Sequence, residues 1–353
     1  MTDSVVVYES IASGERYELE LPLEIRRDLV SMRADLGLPG YVELDNPQVG
    51  RAIAILWAAH NIDTLARQHE ALSGLPGALR IVVFGGVGIR FLCPSANRPS
   101  PFKRSIGDLD LMTTGDDGRP LVTLLTGLDE VLGSRLWHVE TQSDAMFNAL
   151  RRGRRYRVHA AKTLDDGSVD PCILDVVTDA IEFCHRVVPS DALNDPAANL
   201  YTIGATELLL TKLQAISAIA AERVPDERSY RVIGELGDQL LLGPEDKDIA
   251  DAAALLVDYE LGVGEDCIDR ERFGRALERD WGLARTVKLN LANCAMYERV
   301  LNQRGADQAT IAAVRERLDA LAAVADDPEY QPRKPRLRFS RTWWETVEDH
   351  EHD

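Results

Sequence analysis

Two periods of apolar residues run along the chain. Residues 4–22 alternate by twos, VVVYES and then RYELELPL around Ser13-Gly14, and predict a short hairpin or N-terminal arm. Residues 22–36 predict a helix closed by Gly37, and residues 46–72 a long amphipathic helix that starts near Pro47 and stops at Gly74, Pro76 and Gly77. The apolar run IVVF at 81–84 reads as a strand broken by Gly85-Gly86, followed by a short helix over 87–93 and a Pro/Ser/Asn loop over 94–101. A second strand over 105–113 carries Asp108-Leu109-Asp110, and Gly115 to Gly118 form a turn. A helix over 121–133 and a short strand over 136–140 follow. RRYRVHAA at 154–161 and CILDVV at 172–177 predict a hairpin about Asp166-Gly167. From residue 206 the period becomes helical: 206–221 with Thr206 as candidate cap, then 246–259, 268–300 and 308–325, whereas 225–243 follows neither period. Beyond 326 the chain is rich in proline and charge, with Trp343-Trp344 near its end. The pattern predicts an α/β (α+β) protein: a small mixed-sheet core followed by a helical domain. The expected divisions are an arm at 1–44, the core at 45–195, the helical domain at 196–325 and a tail at 326–353.

The second strand is where chemistry is expected. Side chains alternate across a strand, so Asp108 and Asp110 share a face and repel each other unless a cation lies between them. Mg²⁺ suits such a pair, because it takes hard oxygen ligands and keeps positions open for phosphates. Asp175, an acid inside the apolar run 173–177, is costly to bury without a partner and is the expected third metal ligand. Glycines at 85 and 86 let a backbone approach a ligand closely, and the helix after them turns its first amides toward an anion. Lys212 offers a compact charge for a phosphate, and Arg90 and Arg104 flank the loop between the two motifs. Together these parts suit nucleotidyl transfer, in which an enzyme holds a triphosphate, neutralises its oxygens and orients the attacking hydroxyl.

Composition narrows the setting. With 353 residues, 45% apolar and 28% charged, the chain is expected to fold as about two soluble domains. No apolar run is long enough to span a bilayer and no signal peptide is evident, so a cytoplasmic protein without membrane contact is expected. Five scattered cysteines read as reduced thiols, and the adjacent Cys184-His185 fits no common zinc spacing. A net charge of −18 opposes general affinity for nucleic acid, although arginine clusters at 151–157 and 333–341 supply material for a local basic surface.

The glycine pair followed by the Asp108-Leu109-Asp110 strand, with a third acid on a later strand, resembles the signature of the DNA-polymerase-β-like nucleotidyltransferase superfamily. Downstream, ELLLTKLQ at 207–214, then Lys247-Asp248 with Asp251 and Leu255-Leu256, resembles AbiEii-type nucleotidyltransferases, the toxin components of type IV toxin–antitoxin systems and their relatives. The resemblance covers about residues 80–260, in patches. It implies an NTP donor, Mg²⁺ held by Asp108, Asp110 and Asp175, and Asp175 as base. It implies phosphate contacts at Gly85, Gly86 and Lys212, and nucleotide-site or catalytic roles for Lys247 and Asp248. A tRNA or other RNA acceptor and an antitoxin protein partner are implied with it. Val87 stands where many members carry serine, and the gap between Gly86 and Asp108 is long. The alternative expectation is a nonenzymatic nucleotide-binding or interaction protein that keeps this fold.

Overall fold

The structure is a computed structural model that describes residues 5–9, 16–19, 47–60, 62–68, 70–97, 100–131, 137, 154–158, 172–189, 202–218, 231–233 and 239–333. The chain divides into two compact units. The first comprises residues 1–91, 105–179 and 190–203, and the second 92–104, 180–189 and 204–353.

In the first unit, strands β1 (Val5–Glu9) and β2 (Arg16–Leu19) pair as the expected antiparallel hairpin. Where one amphipathic helix was expected over 46–72, there are helices α1 (Pro47–His60) and α2 (Ile62–Gln68) and a 3-10 turn, Glu70–Leu72. The central sheet is built from β3 (Val82–Val83), β4 (Asp108–Thr113), β5 (Arg155–Val158) and β6 (Ile173–Thr178), in the order β3-β4-β6-β5. It is mixed: β4 runs parallel to β6, and β3 and β5 are antiparallel to their neighbours. Between β3 and β4 lies helix α3 (Gly85–Leu92), and after β4 comes α4 (Gly118–Val131).

Alternation along β4 and β6 explains why the sheet holds. Leu109, Leu111, Leu174 and Val176 point into one core with Ile53 and Leu56 of α1 and Leu121, Leu125 and Leu128 of α4. Each fully buried leucine contributes about 2 kcal/mol. The opposite face is thereby left to Asp108, Asp110 and Asp175. Buried Trp137 fastens the unit at another point, its indole donating to the Cys172 carbonyl at 2.7 Å and its backbone N–H to Asp129 at 2.6 Å. After β6 comes Asp179, whose φ of +59° is tolerated because its carboxylate accepts from the Gly115 amide at 2.9 Å.

The described residues of the second unit are mainly helical: α5 (Ala205–Leu213), α6 (Asp246–Asp258), α7 (Arg270–Arg279), α8 (Trp281–Ala292), α9 (Cys294–Gln303) and α10 (Gln308–Asp326). The single run expected over 268–300 is three helices. Asp269 and Asp280 accept from Arg272 and Leu283 amides at 3.0 Å each, so each starts a new helix where the apolar period alone reads as continuous. α5 is shorter than the expected 206–221. Gly204 occupies its N-cap, and Thr206 instead accepts from the Asp269 amide at 2.8 Å. At the other end Asn290, fully buried, donates to the carbonyls of Leu213 and Ala215 at 2.8 Å each, and the chain then enters a short strand, Ser217–Ala218. That strand pairs with Gln239–Gly243, which also pairs with Arg231–Ile233, so the segment that followed neither period contains strands.

The segment 92–104, which includes the loop expected over 94–101, is held by side chains of this same unit. Ser95 donates to Asp258 through its amide at 2.9 Å and its hydroxyl at 2.7 Å. Tyr259 donates to the Leu92 carbonyl, and Arg304 to those of Pro101 and Lys103. The expected helix over 22–36, the strand over 136–140 apart from Trp137, the Asp166-Gly167 turn and Trp343-Trp344 lie outside the described residues. Among those described, no helix is long and apolar enough to cross a membrane.

Asn290→Ala removes two hydrogen bonds, one to the buried Leu213 carbonyl at the end of α5 and one to the partly buried Ala215 carbonyl after it, so a loss of about 2–4 kcal/mol is expected in urea denaturation. Asn302→Ala, which removes an exposed bond to the Glu298 carbonyl, should cost less than about 0.5 kcal/mol in the same measurement.

Candidate functional site

The strand-to-helix junction at Gly85 is shaped by what glycine lacks. Gly85 has φ +61°, a left-handed conformation, and a Cβ placed there would lie 1.8 Å from Asp110 Oδ2. The Asp110 carboxylate fills the space a side chain would need, at the N-terminal end of α3, where the helix dipole favours negative charge. Val82 and Val83 pair with Met112 and Leu111, and the Phe84 amide donates to the Asp110 carbonyl at 3.0 Å, which fixes the strand beside the turn. The Gly88 amide donates to the Phe84 carbonyl at 3.0 Å and starts the ladder of α3; its first turn carries amides that the helix itself does not use. Arg90, on the same helix, is buried, with 2% exposure, and so lies inside the fold instead of on a phosphate-facing surface.

β4 and β6 are in register Asp108↔Ile173 and Asp110↔Asp175, so the three expected acids do share one sheet face, with Asp110 and Asp175 directly adjacent. Asp175, however, is already engaged. Arg155 donates to both of its oxygens, from Nε at 2.7 Å and from Nη2, and Arg157 donates to Oδ2 at 2.7 Å from Nη2 and 3.3 Å from Nε. Burial raises the Asp175 pKa, but the two guanidiniums outweigh it and hold the carboxyl below its ordinary value. Asp175 is therefore an acceptor with both oxygens in use, poorly suited to taking a proton at neutral pH.

Lys212, Arg104, Lys247 and Asp248 belong to the second unit, and three of them meet there. Lys212 Nζ lies 2.9 Å from Asp251 and 3.4 Å from Asp248, and Arg104 grips Asp251 with Nε at 2.9 Å and Nη2 at 2.8 Å. These groups are buried or nearly so. Burial alone lowers the Lys212 pKa, yet Asp251 and Asp248 raise it overall. Burial raises Asp251, but Lys212 and Arg104 bring it down to about 2. Asp248, with the weaker partner, is raised, chiefly by burial. Lys247 stands apart from them, exposed and 3.0 Å from Glu245. The cluster is a two-cation, two-anion network that joins segment 92–104 to α5 and α6.

Asp108 and Asp110 provide the hard oxygen donors a Mg²⁺ ion would take, with the Asp110 carboxylate packed against the Gly85 turn. Asp175 does not complete the set, because Arg155 and Arg157 occupy it; no three acid, thiol or imidazole ligands converge among the described residues. Neither arginine was expected as part of the site beyond belonging to a basic cluster. The signal was present as arginines two apart in RYRV, hence on one face of a strand whose hairpin partner carries a buried acid. Asp251, three positions after Asp248 and so on the same helix face, was legible in the same way.

Cys184 and His185 are core groups of the second unit. The thiol donates to the Ile216 carbonyl, and His185 Nε2 lies 2.7 Å from Thr286 Oγ1. None of the five cysteines forms a disulfide; Cys93, Cys172 and Cys184 are buried and Cys267 and Cys294 partly so.

Gly85→Ala places a methyl against Asp110 and demands a disfavoured φ, so a loss of more than about 2 kcal/mol is expected, against less than about 0.5 for Gly74→Ala, where nothing lies within 4 Å. Both are read by urea denaturation. Burial lowers the pKa of His60 and of His185 to about 4, so below 6.5 the unfolded chain binds protons first and stability falls as pH drops toward 4. Between pH 7 and pH 5 each histidine should remove about 2 kcal/mol, and His185→Gln should flatten that slope. No family model, characterised protein or solved structure matches the chain.

Proposed function

We propose that the first unit is the core of a Mg²⁺-dependent nucleotidyltransferase that moves an NMP from an NTP to a hydroxyl. The observation that carries the reading is the face shared by Asp108 and Asp110 beside Gly85, whose side-chain space is filled by the Asp110 carboxylate. A strand, a glycine turn, a helix and a strand bearing two acids agree in order with the nucleotidyltransferase signature that the sequence resembles. Asp108 and Asp110 would hold the ion, and the backbone at Gly85-Gly86 would receive phosphate oxygens through the first amides of α3. When bound, Mg²⁺ neutralises the triphosphate oxygens and lowers the pKa of the attacking hydroxyl. The new bond joins the acceptor oxygen to the α-phosphorus, the hydroxyl's proton passes to solvent, and pyrophosphate leaves with the electrons of the α–β phosphoanhydride bond that breaks.

Lys212, Arg104 and Asp248 support the fold of the second unit through ion pairs of Lys212 with Asp248 and of Lys212 and Arg104 with Asp251, and have no step in this reaction. A net charge of −18 favours a small or locally recognised acceptor over general RNA binding. An RNA acceptor, toxicity and an antitoxin partner rest on the AbiEii-type resemblance alone. A second reading, a nucleotide-binding protein without turnover, draws on Asp175, which both arginines keep from acting as a base.

Labelled NTP transfer with Mg²⁺, offered total RNA, protein extract and small aminols in turn, tests the proposal. Wild type should label one acceptor class, and Asp108→Asn/Asp110→Asn should reduce transfer by roughly a thousandfold or more. Equal behaviour of the two proteins across all acceptors overturns the catalytic reading. Calorimetry showing tight NTP binding that is indifferent to Mg²⁺ and to these substitutions supports the second.

A further inference from the structure

We propose that Arg157 binds the triphosphate of the NTP and that Asp175 serves as its positioning residue, in place of the metal-ligand and base roles expected for that acid. The inference deepens the nucleotidyltransferase reading and rests on it. Across the sheet, register places Asp110 beside Asp175 and Asp175 beside Arg157, so the three side chains stand in one row on one face. Neighbouring strands are about 4.8 Å apart, which puts the Arg157 strand about 10 Å from that of Asp110. Phosphates held at Asp110 would lie one strand beyond Asp175, the group that Arg157 reaches.

The two arginines hold Asp175 unequally. Arg155 is buried and reaches both oxygens, one from Nε and one from Nη2, which is the geometry of a fixed bidentate pair. Arg157 is less buried and directs both Nε and Nη2 to Oδ2 alone. Arg155 thus suffices to anchor the carboxylate, while the same carboxylate sets the plane and height of the Arg157 fork. For Asp175 to ligate a cation, both arginines would have to leave a buried anion, and the ion would then sit beside two uncompensated positive charges. Two guanidiniums against one carboxylate leave the trio at +1, next to the pair Asp108 and Asp110. A planar guanidinium matches phosphate oxygens better than an ammonium does.

The test uses the full chain, Mn²⁺ as the cation probe, and a non-hydrolysable NTP analogue compared with its parent nucleoside. Mn²⁺ binding is read by electron paramagnetic resonance and ligand binding by calorimetry. Arg157→Gln should weaken the NTP analogue by roughly tenfold to a hundredfold, the reach of one charge-assisted hydrogen bond. It should leave the nucleoside and Mn²⁺ affinities unchanged, and Arg157→Lys should recover part of the loss. Asp175→Asn should copy Arg157→Gln and retain Mn²⁺, whereas Asp108→Asn/Asp110→Asn should abolish Mn²⁺ binding. If Asp175→Asn fails to fold, Arg157→Gln still decides. Tighter Mn²⁺ binding by Arg157→Gln would mean that Asp175 had been released to the cation, and would overturn the inference, as would NTP affinity equal to wild type. In those two outcomes wild type still binds Mn²⁺ and the NTP analogue, so the nucleotidyltransferase reading stands. Wild type that binds neither removes both.

Discussion

Gly85 and Asp110 compete for the same space, and the first unit is arranged so that Asp110 has it. A left-handed backbone at Gly85 turns the chain from β3 into α3, and the missing Cβ admits the carboxylate of the adjoining strand to within what would otherwise be a severe overlap. Pairing of β3 with β4 fixes the height of that carboxylate along the turn, and pairing of β4 with β6 fixes its neighbour. Apolar residues on the other face, Leu109, Leu111, Leu174 and Val176, make the register expensive to change, because a slip of one residue would exchange the acids with the core. The position of the charges is thus set by the packing of the leucines.

Charge is then distributed by burial. Asp175 is deep enough to need full compensation and receives two arginines, whereas Asp108 lies at the start of β4 and is only partly buried. The second unit solves a similar problem differently, with Lys212 shared between Asp251 and Asp248, Arg104 on Asp251, and an overall charge near balance. Removing Asp175 from the first group or Asp251 from the second would take from two largely buried cations the carboxylate they share, which costs several times what a surface pair contributes. The trio on β5 and β6 sets two guanidiniums on one carboxylate, and the network in the second unit sets two cations on two carboxylates.

Much of the first unit was legible because its signals are local. The alternation of DLDLMT, the glycine pair and the apolar run CILDVV predict strands and faces without tertiary knowledge, and they led to the Asp108, Asp110 and Asp175 face. What pairs with Asp175 was less legible, since a buried acid on a strand is compatible with either a cation or an arginine, and only the register Arg157↔Asp175 decides between them. The helical stretch over 268–300 read as continuous because aspartate at 269 and 280 interrupts the apolar period too little; its role as a cap depends on the conformation of the residues after it. Thr206 had the residue type of a cap, but its hydroxyl had a partner, the Asp269 amide, more than sixty positions away. Lys212 and Asp248 were identifiable as charges on apolar helices, yet their engagement with each other and with Asp251 needed the fold.

The account stands or falls on whether the Asp108–Asp110 face beside Gly85 receives a cation and a triphosphate. A crystal structure of the full chain with Mg²⁺ and a non-hydrolysable NTP measures this directly. The prediction is a cation ligated by Asp108 and Asp110, phosphate oxygens at the amides after Gly85, and Arg155 still paired with Asp175. Nucleotide and cation bound elsewhere, with Asp108 and Asp110 facing only solvent, would contradict it.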